Sequence, residues 1–307
     1  MRKKKKEKGG SRIIIGTGEK IFLMINNCIM VLLMLITLYP LLYVLFASLS
    51  DPIELGKVTG LLWKPAGFSL RGYASVLQSE NIWLGFRNTI FYVIVGTVCS
   101  MAITICGAYP LSRKNIMLKK PIMLFIIFTM FFSGGMVPTF LVVQKLGITN
   151  TLWAMIIPGM LSVYNVIVLK TSFESVPESL YESAALDGAN HWYMMTKITL
   201  PLSKAALATI TLFYAVGKWG EWYSALVYLQ KRRDLYPLQM FLRELLVSQE
   251  DMDALLSSSV GVAADAYLLK EVIKYATIIV TTVPILCVYP FLQKYFVKGV
   301  LIGSVKE

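Results

Sequence analysis

Residues 21–47 read IFLMINNCIMVLLMLITLYPLLYVLFA and contain no Asp, Glu, Lys or Arg. A helix needs about 20 apolar residues to cross a hydrocarbon core roughly 30 Å thick, so this stretch is long enough to span one. It is too long for a signal-peptide core and no small-residue cleavage pattern follows it, which makes it a retained first span. Comparable runs follow at 86–110, 121–144, 151–170, 202–229 and 272–296. The whole chain agrees: 56% of its 307 residues are hydrophobic, 16% are charged and mean hydropathy is +0.63. Soluble domains are about 45–50% apolar and about 25% charged. A water-soluble enzyme of this composition would expose much of its apolar surface, so the reading is an all-α membrane protein with six transmembrane helices in one domain, residues 21–296.

Charge sets the orientation. The net charge is +12, and half of the excess lies in residues 1–20, where Arg2, Lys3, Lys4, Lys5, Lys6 and Lys8 form a basic tail. Beside a long apolar run, such a tail reads as a cytoplasmic anchor near anionic membrane lipid rather than a nucleic-acid contact. Six spans put both termini on one side, and that side carries 18 Lys and Arg against 11 on the other, with Lys218 inside a span. Both termini are therefore expected in the cytoplasm, the second as a short tail, 297–307. Cys28, Cys99, Cys106 and Cys287 fall in apolar runs and are expected as free thiols. One histidine and no CxxC or HExxH leave no metal site to expect.

Three connecting segments stand out. Segment 48–85 is expected outside, where Trp63, Phe68, Tyr73 and Trp83 suit an aromatic interfacial layer. The external loop at about 230–271 is longer than a helix connection needs, and either engages something outside or only caps that face. The internal loop at about 171–201 is polar yet patterned as helix. Ser175 and Glu178 have capping-box spacing, Pro177 suits a first turn and Gly188 supplies a stop, predicting a helix at 176–187. Asn190 can cap a second short helix before Pro201 opens the fifth span. Tyr181, Ala184, Ala185 and Gly188 share one side, which reads as a docking surface with Glu182 at its edge, or as an amphipathic loop lying on the membrane.

Glu182-Ser183-Ala184, three residues, Gly188, nine residues, then Ile198-Thr199-Leu200-Pro201 resembles the EAA signature of binding-protein-dependent ABC importers, with Ser183 the one departure. The surrounding Ala185, Leu186, Asp187 and Ala189, with Leu202 and Ser203, resemble the carbohydrate permeases of the MalG type. The resemblance covers essentially the whole chain. It implies a permease subunit in the bacterial cytoplasmic membrane whose internal loop forms coupling helices, seated in an ATPase groove through Tyr181, Glu182, Ser183, Ala184, Ala185, Asp187, Gly188, Ile198, Leu200 and Pro201. It also implies a C-terminal tail that meets the ATPase through Gly303, Ser304 and Val305. The implied partners are a second homologous permease, two ATP-binding subunits and an extracytoplasmic sugar-binding protein, with an oligosaccharide as the expected cargo.

The chain itself has no GxxxxGK[ST]; Gly16-Thr17-Gly18-Glu19-Lys20 lacks the spacing and the hydroxyl residue. No cofactor is expected in this chain, and ATP with Mg is expected in the partner subunits. His191 has no catalytic pattern around it. Polar groups inside the membrane are the pathway candidates, because leaving them in lipid is costly. The fifth span offers Tyr214, Lys218, Trp219, Glu221, Trp222 and Tyr223, where Lys218 and Glu221 either form an i, i+3 ion pair or contact sugar. Tyr164 and Asn165 in the fourth span are further candidates. Gly134 and Gly135 in the third either pack helices closely or allow local unwinding beside a cavity. A stand-alone secondary transporter or channel is the rival reading and would need its own coupling-ion site, for which Glu221 is the one clear intramembrane carboxylate. A membrane glycosyltransferase is disfavoured, since no Asp/Glu pair marks an active site.

Overall fold

The computed structural model describes residues 16–114, 116–256 and 268–287. Its helices are α1 (Thr17–Ser48), α2 (Pro52–Gly56), α3 (Arg71–Gln78), α4 (Glu80–Ser112), α5 (Lys119–Phe131), α6 (Met136–Lys145), α7 (Trp153–Ile156), α8 (Val163–Glu174) and α9 (Glu178–Leu186). They continue as α10 (His191–Tyr193), a π-helical stretch Met194–Thr199, α11 (Leu200–Leu202), α12 (Lys204–Trp219), α13 (Tyr223–Tyr228), a 3-10 turn Arg233–Leu235, α14 (Leu238–Leu256) and α15 (268–287). Among the described residues there is no β-strand, only an isolated bridge between Ser50 and Phe68.

Two of these helices, α1 and α4, are long and apolar enough to cross a membrane on their own. They differ in what they touch. In α1 only Ala47 and Ser48 are buried, so its apolar shaft meets little of the chain. Helix α4 is the spine: Gly85, Asn88, Thr89, Tyr92, Gly96, Ser100, Thr104 and Ala108 form a buried stripe at three- and four-residue steps along it. Lipid is as apolar as leucine, so helices in a bilayer associate through close packing and polar contacts rather than hydrophobic burial, which explains why that stripe is small and polar. A Cβ at Gly85 would stand 2.9 Å from the Leu238 Cα, and one at Gly96 would stand 3.2 Å from Lys218 Cε. The first lets α14 lie on α4; the second lets α12 do so.

Three of the apolar runs are not single straight helices. Run 121–144 breaks at 132–135, and α5 and α6 meet at 111°. Gly135 sits at the break with φ +87°, a conformation that costs a residue without Cβ nothing. Among the described residues neither glycine packs closely against another helix, and the chain is locally unwound at this point. Run 151–170 breaks between α7 and α8, across Pro158 and Gly159. Run 202–229 starts after an 85° bend at Ser203 and its first helix ends at Trp219. Of the sixth run, residues up to 287 are helical and the rest lie outside the described residues, as do 1–15 of the basic tail and the 297–307 tail.

The stretch at 230–271 departs from the external loop expected there. It carries the 3-10 turn and α14, and is bolted to α4 by side chains. Asn88 Nδ2 donates to the carbonyls of Asp234 (2.8 Å) and Tyr236 (3.0 Å), the Tyr92 hydroxyl donates to Leu235 (2.8 Å), and the Leu238 N–H donates to Thr89 Oγ1 (2.8 Å). Tyr236, Met240 and Phe241 then pack with Tyr92, Met155, Ile156 and Leu229 in one buried cluster. Segment 48–85 does expose Trp63, Phe68 and Trp83, while the Tyr73 hydroxyl bonds Ser48 Oγ at 2.8 Å.

Candidate functional site

The loop expected inside, 171–201, is built from the end of α8 onward. Ser175 does not cap the next helix: its hydroxyl donates back to the Ser172 carbonyl at 2.7 Å and it closes α8. Pro177 occupies the N-cap of α9, with no side-chain cap, so the capping-box reading fails because the preceding helix claims the serine. The other two signals hold. Gly188 ends the helix with φ +78°, and Asn190 Oδ1 accepts from the Tyr193 N–H at 2.8 Å.

Helix α9 has two faces, and they divide the expected docking residues. Tyr181 is buried and Ala184 half-buried, packed with Val176, Met194, Ala189 and Ile198. Tyr181 is therefore not on the outward surface, because its ring is needed to fasten the helix to the protein. Glu182, Ser183, Ala185, Leu186, Asp187 and Gly188 face out, Leu186 being 91% exposed, and nothing lies within 4 Å of a Cβ at Gly188. Among the described residues Glu182 has no ion-pair partner. Beyond the turn, Trp192 and Tyr193 are also exposed, and so is Pro201, while Ile198 and Leu200 are half-buried. His191 is exposed, its ring 6.4 Å from that of Tyr109.

The loop is tied to α4 and α5 by a cluster the sequence did not single out. Arg113, directly after α4, places its guanidinium carbon 3.7 Å from the Tyr181 ring centroid and 5.2 Å from that of Tyr109. Its Nη2 donates to the Tyr181 hydroxyl (3.1 Å), Ser112 Oγ (3.0 Å) and the Phe173 carbonyl (3.3 Å). Tyr181 in turn bonds Thr199 Oγ1 at 2.8 Å, and Thr199 donates to the Met194 carbonyl at 3.2 Å. Nearby, Glu174 accepts from Lys119 (2.9 Å) and Lys170 (2.8 Å). Partial burial works against its charge, but the two lysines prevail and hold its carboxyl below the ordinary value. The only sequence signal for Arg113 was its place in a basic cluster after a span.

The intramembrane candidates also divide. Lys218 is 7% exposed and its Nζ donates to the Met155 carbonyl at 3.1 Å, its stem passing Gly96 and Gly159. Glu221 lies past the helix end and its Oε1 accepts from the Ser224 N–H, in the first turn of α13, at 2.9 Å. The expected Lys218–Glu221 ion pair is not formed, because Gly220 ends the helix and breaks the i, i+3 alignment. The Tyr214 hydroxyl accepts from the Ser162 N–H (3.1 Å) and shares a hydrogen bond with Thr104 Oγ1 (2.8 Å). Asn165 is buried, and Trp219 Nε1 donates to the Thr281 carbonyl at 3.2 Å. Lys218, Tyr214 and Trp219 hold helices together.

What remains open is aromatic. Gly134 and Gly135, Tyr164, Trp222 and Tyr223 are exposed, the Tyr223 hydroxyl touching Met136 beside Gly135. The Trp222 and Tyr223 rings stand edge to face at 5.8 Å, and the Arg243 guanidinium lies 4.9 Å from the Trp222 centroid. Arg243 forms no ion pair among the described residues, whereas Arg232 and Arg233 are paired with Asp234 and Glu244. Flat rings can stack on the C–H faces of sugars, and a guanidinium beside them can take a carboxylate in two parallel hydrogen bonds. The residues expected to meet an ATPase at the chain's end, Gly303, Ser304 and Val305, lie outside the described residues.

Residues 101–302 match the family described as binding-protein-dependent transport system inner membrane component. The polygalacturonan/rhamnogalacturonan transport system permease protein YtcP of Bacillus subtilis (strain 168) is 38% identical over 288 residues, 94% of this chain and 99% of that protein. The arabinooligosaccharides transport system permease protein AraQ of Halalkalibacterium halodurans is 26% identical over 277 residues, 88% of this chain and 92% of that one. Among solved structures, a bacterial ABC transporter involved in the import of the acidic polysaccharide alginate superposes with TM-score 0.81 at 32% identity, covering 92% of this chain and 98% of that one.

Proposed function

The chain belongs to the family of inner membrane components of binding-protein-dependent transport systems, a permease of carbohydrate ABC import, and on that premise we propose that it moves an oligosaccharide inward by alternating access driven by separate ATPase subunits. It is a multi-pass protein of the bacterial plasma membrane. The proposal includes six spans with both termini in the cytoplasm, the basic tail at 1–20 against anionic lipid, one transmembrane domain at 21–296 and a cytoplasmic tail at 297–307. The chain acts as transporter rather than enzyme, with ATP and Mg bound by two partner subunits, beside a second homologous permease and an external sugar-binding protein.

The observation that carries the reading is the outward face of α9, Glu182 to Gly188: two carboxylates, small residues and the exposed Leu186 on a loop that is otherwise fastened down. A carboxylate without an ion-pair partner among the described residues, on an exposed helix face, suits an arginine or lysine on a docked subunit. The tail residues Gly303, Ser304 and Val305 would add a second contact to that subunit.

For the cargo, we infer a saccharide carrying carboxylates, read by Trp222, Tyr223 and Arg243 beside the Gly134–Gly135 break. One transporter it resembles is named for polygalacturonan and another for the acidic polysaccharide alginate, and Arg243, over an exposed indole and without an ion pair among the described residues, has the chemistry to take a carboxylate. Tyr164 extends the open aromatic surface, 6.5 Å from Phe213. Lys218, Tyr214 and Trp219 hold the helices that frame the route, and Asn165 is buried among them. The test is purification from membranes in mild detergent followed by reconstitution with an oligogalacturonate-loaded receptor. ATP-dependent uptake by a complex containing ATP-binding chains is expected; a purified transporter that moves the saccharide without any ATP-binding chain would establish the secondary-transporter alternative instead.

A further inference from the structure

The fastening of α9 has a direction. Thr199 Oγ1 gives its proton to the Met194 carbonyl, so at the Tyr181 bond it must accept; Tyr181 therefore donates to Thr199 and accepts from Arg113. Each hydroxyl donates once and accepts once, in a single ordered line from the end of α4, through α9, into the π-helical stretch that leads to α12. The guanidinium is held on both sides, by Tyr181 and Tyr109, although its Nη1 is buried with no hydrogen-bond partner among the described residues. An unpaired buried donor is costly, and it is tolerated only where other contacts fix the group in place. The backbone at the same residue is also engaged, since the Arg113 carbonyl accepts from Lys119 at 3.1 Å.

Helix α4 is continuous from Glu80 to Ser112, about 50 Å at about 1.5 Å per residue, and is packed along its length by α8, α12 and α14. A displacement of its inner end is thus felt at Gly96, where it touches Lys218 beside the α7–α8 break. We propose that Arg113 is the positioning residue that transmits movement of the coupling helix α9 to α4, with Tyr181 and Thr199 as the intermediate links. This rests on the importer reading above: ATPase subunits move α9 from outside, and the Arg113–Tyr181–Thr199 line makes α4 follow rather than slip. A lysine at 113 would keep the charge but could not lie flat on Tyr181 and donate to three acceptors.

The experiment compares the parent, Arg113→Gln, Arg113→Lys and Tyr181→Phe in the full complex with its receptor and saccharide. The expected result is retained assembly and ATP hydrolysis, with ATP consumed per saccharide rising about 5-fold or more in both Arg113 variants, the low end of typical coupling free energies. Tyr181→Phe keeps the ring under the guanidinium and breaks the hydroxyl line, so a smaller rise is expected. A second arm needs no ATPase. In the chain alone, amide exchange over 178–199 should accelerate about tenfold in Arg113→Gln while exchange over 88–104 stays as in the parent. Parental stoichiometry in Arg113→Gln, or in Tyr181→Phe if the arginine variants do not assemble, overturns the proposal, and so does unchanged exchange over 178–199. A parent complex that shows no ATP-driven uptake counts against the importer reading, and the exchange arm then decides the linkage by itself.

Discussion

The ammonium of Lys218 lies 3.1 Å from the carbonyl oxygen of Met155, and no acidic side chain among the described residues pairs with it. The bond crosses from α12 to the end region of α7, where the fourth apolar run is interrupted and its carbonyls lose their helical partners. A charge in the membrane normally marks a pathway, yet this one is threaded between two glycines as a pin. Lys218→Met keeps the stem and removes the donor, leaving a buried carbonyl unpaired at a cost of about 1–3 kcal/mol, partly offset because no charge is then buried. Thermal unfolding in detergent should show a lower midpoint and, in Gly96→Val, which pushes on the same stem, a lower one still. A midpoint for Lys218→Met at or above the parent's would show that the pin is dispensable.

The outward face of α9 should tolerate little added bulk or reversed charge. Glu182→Lys replaces a charge-assisted contact by repulsion, which we expect to weaken docking of the ATP-binding chain by about 1–3 kcal/mol. Gly188→Trp blocks the approach and also forces a side chain onto φ +78°. Both variants should remain in the membrane and lose receptor-stimulated ATP hydrolysis, measured with subunit stoichiometry alongside. Wild-type stimulation in both would remove this face from the interface.

Arg243 and Trp222 should discriminate acidic from neutral saccharides. Arg243→Ala removes the cation and is expected to lower uptake of an oligogalacturonate about tenfold at limiting substrate, equivalent to about 1.4 kcal/mol. A neutral oligosaccharide of equal length should be affected much less, whereas Trp222→Ala should impair both. Equal losses for the two substrates in Arg243→Ala would mean that the guanidinium supports the fold rather than reads charge.

Asn88 holds two carbonyls of the external segment, so Asn88→Leu orphans both. The expected cost is about 1–3 kcal/mol for each carbonyl that water cannot reach, and the loosening should be local to 230–247. Limited proteolysis from the outside should cut this segment faster while α4 remains protected. Unchanged cleavage would show that Tyr92, Thr89 and apolar packing suffice to hold it.

The amino-acid sequence determined the class of the molecule, because solvent preference is a property of composition: runs of apolar residues the length of a bilayer need no tertiary knowledge to be read. It also determined the turn at Gly188 and the cap at Asn190, whose chemistry is local. The EAA-like loop was legible for the same reason, being one contiguous helix–turn–helix. Which face of α9 points outward was not legible, since Tyr181 is turned inward by Arg113 from another helix and Thr199 from beyond the turn. Nor was the fate of Lys218: sequence spacing offered Glu221, but the helix ended between them and a carbonyl from α7 accepts its hydrogen bond instead. Gly134 and Gly135 offered unwinding as one of two alternatives, since glycine serves a break and a close packing equally well. Only the tertiary structure decided how the break at 157–162 is held, because the Met155 carbonyl before it and the Ser162 N–H at its end are satisfied by Lys218 and Tyr214, distant in the chain.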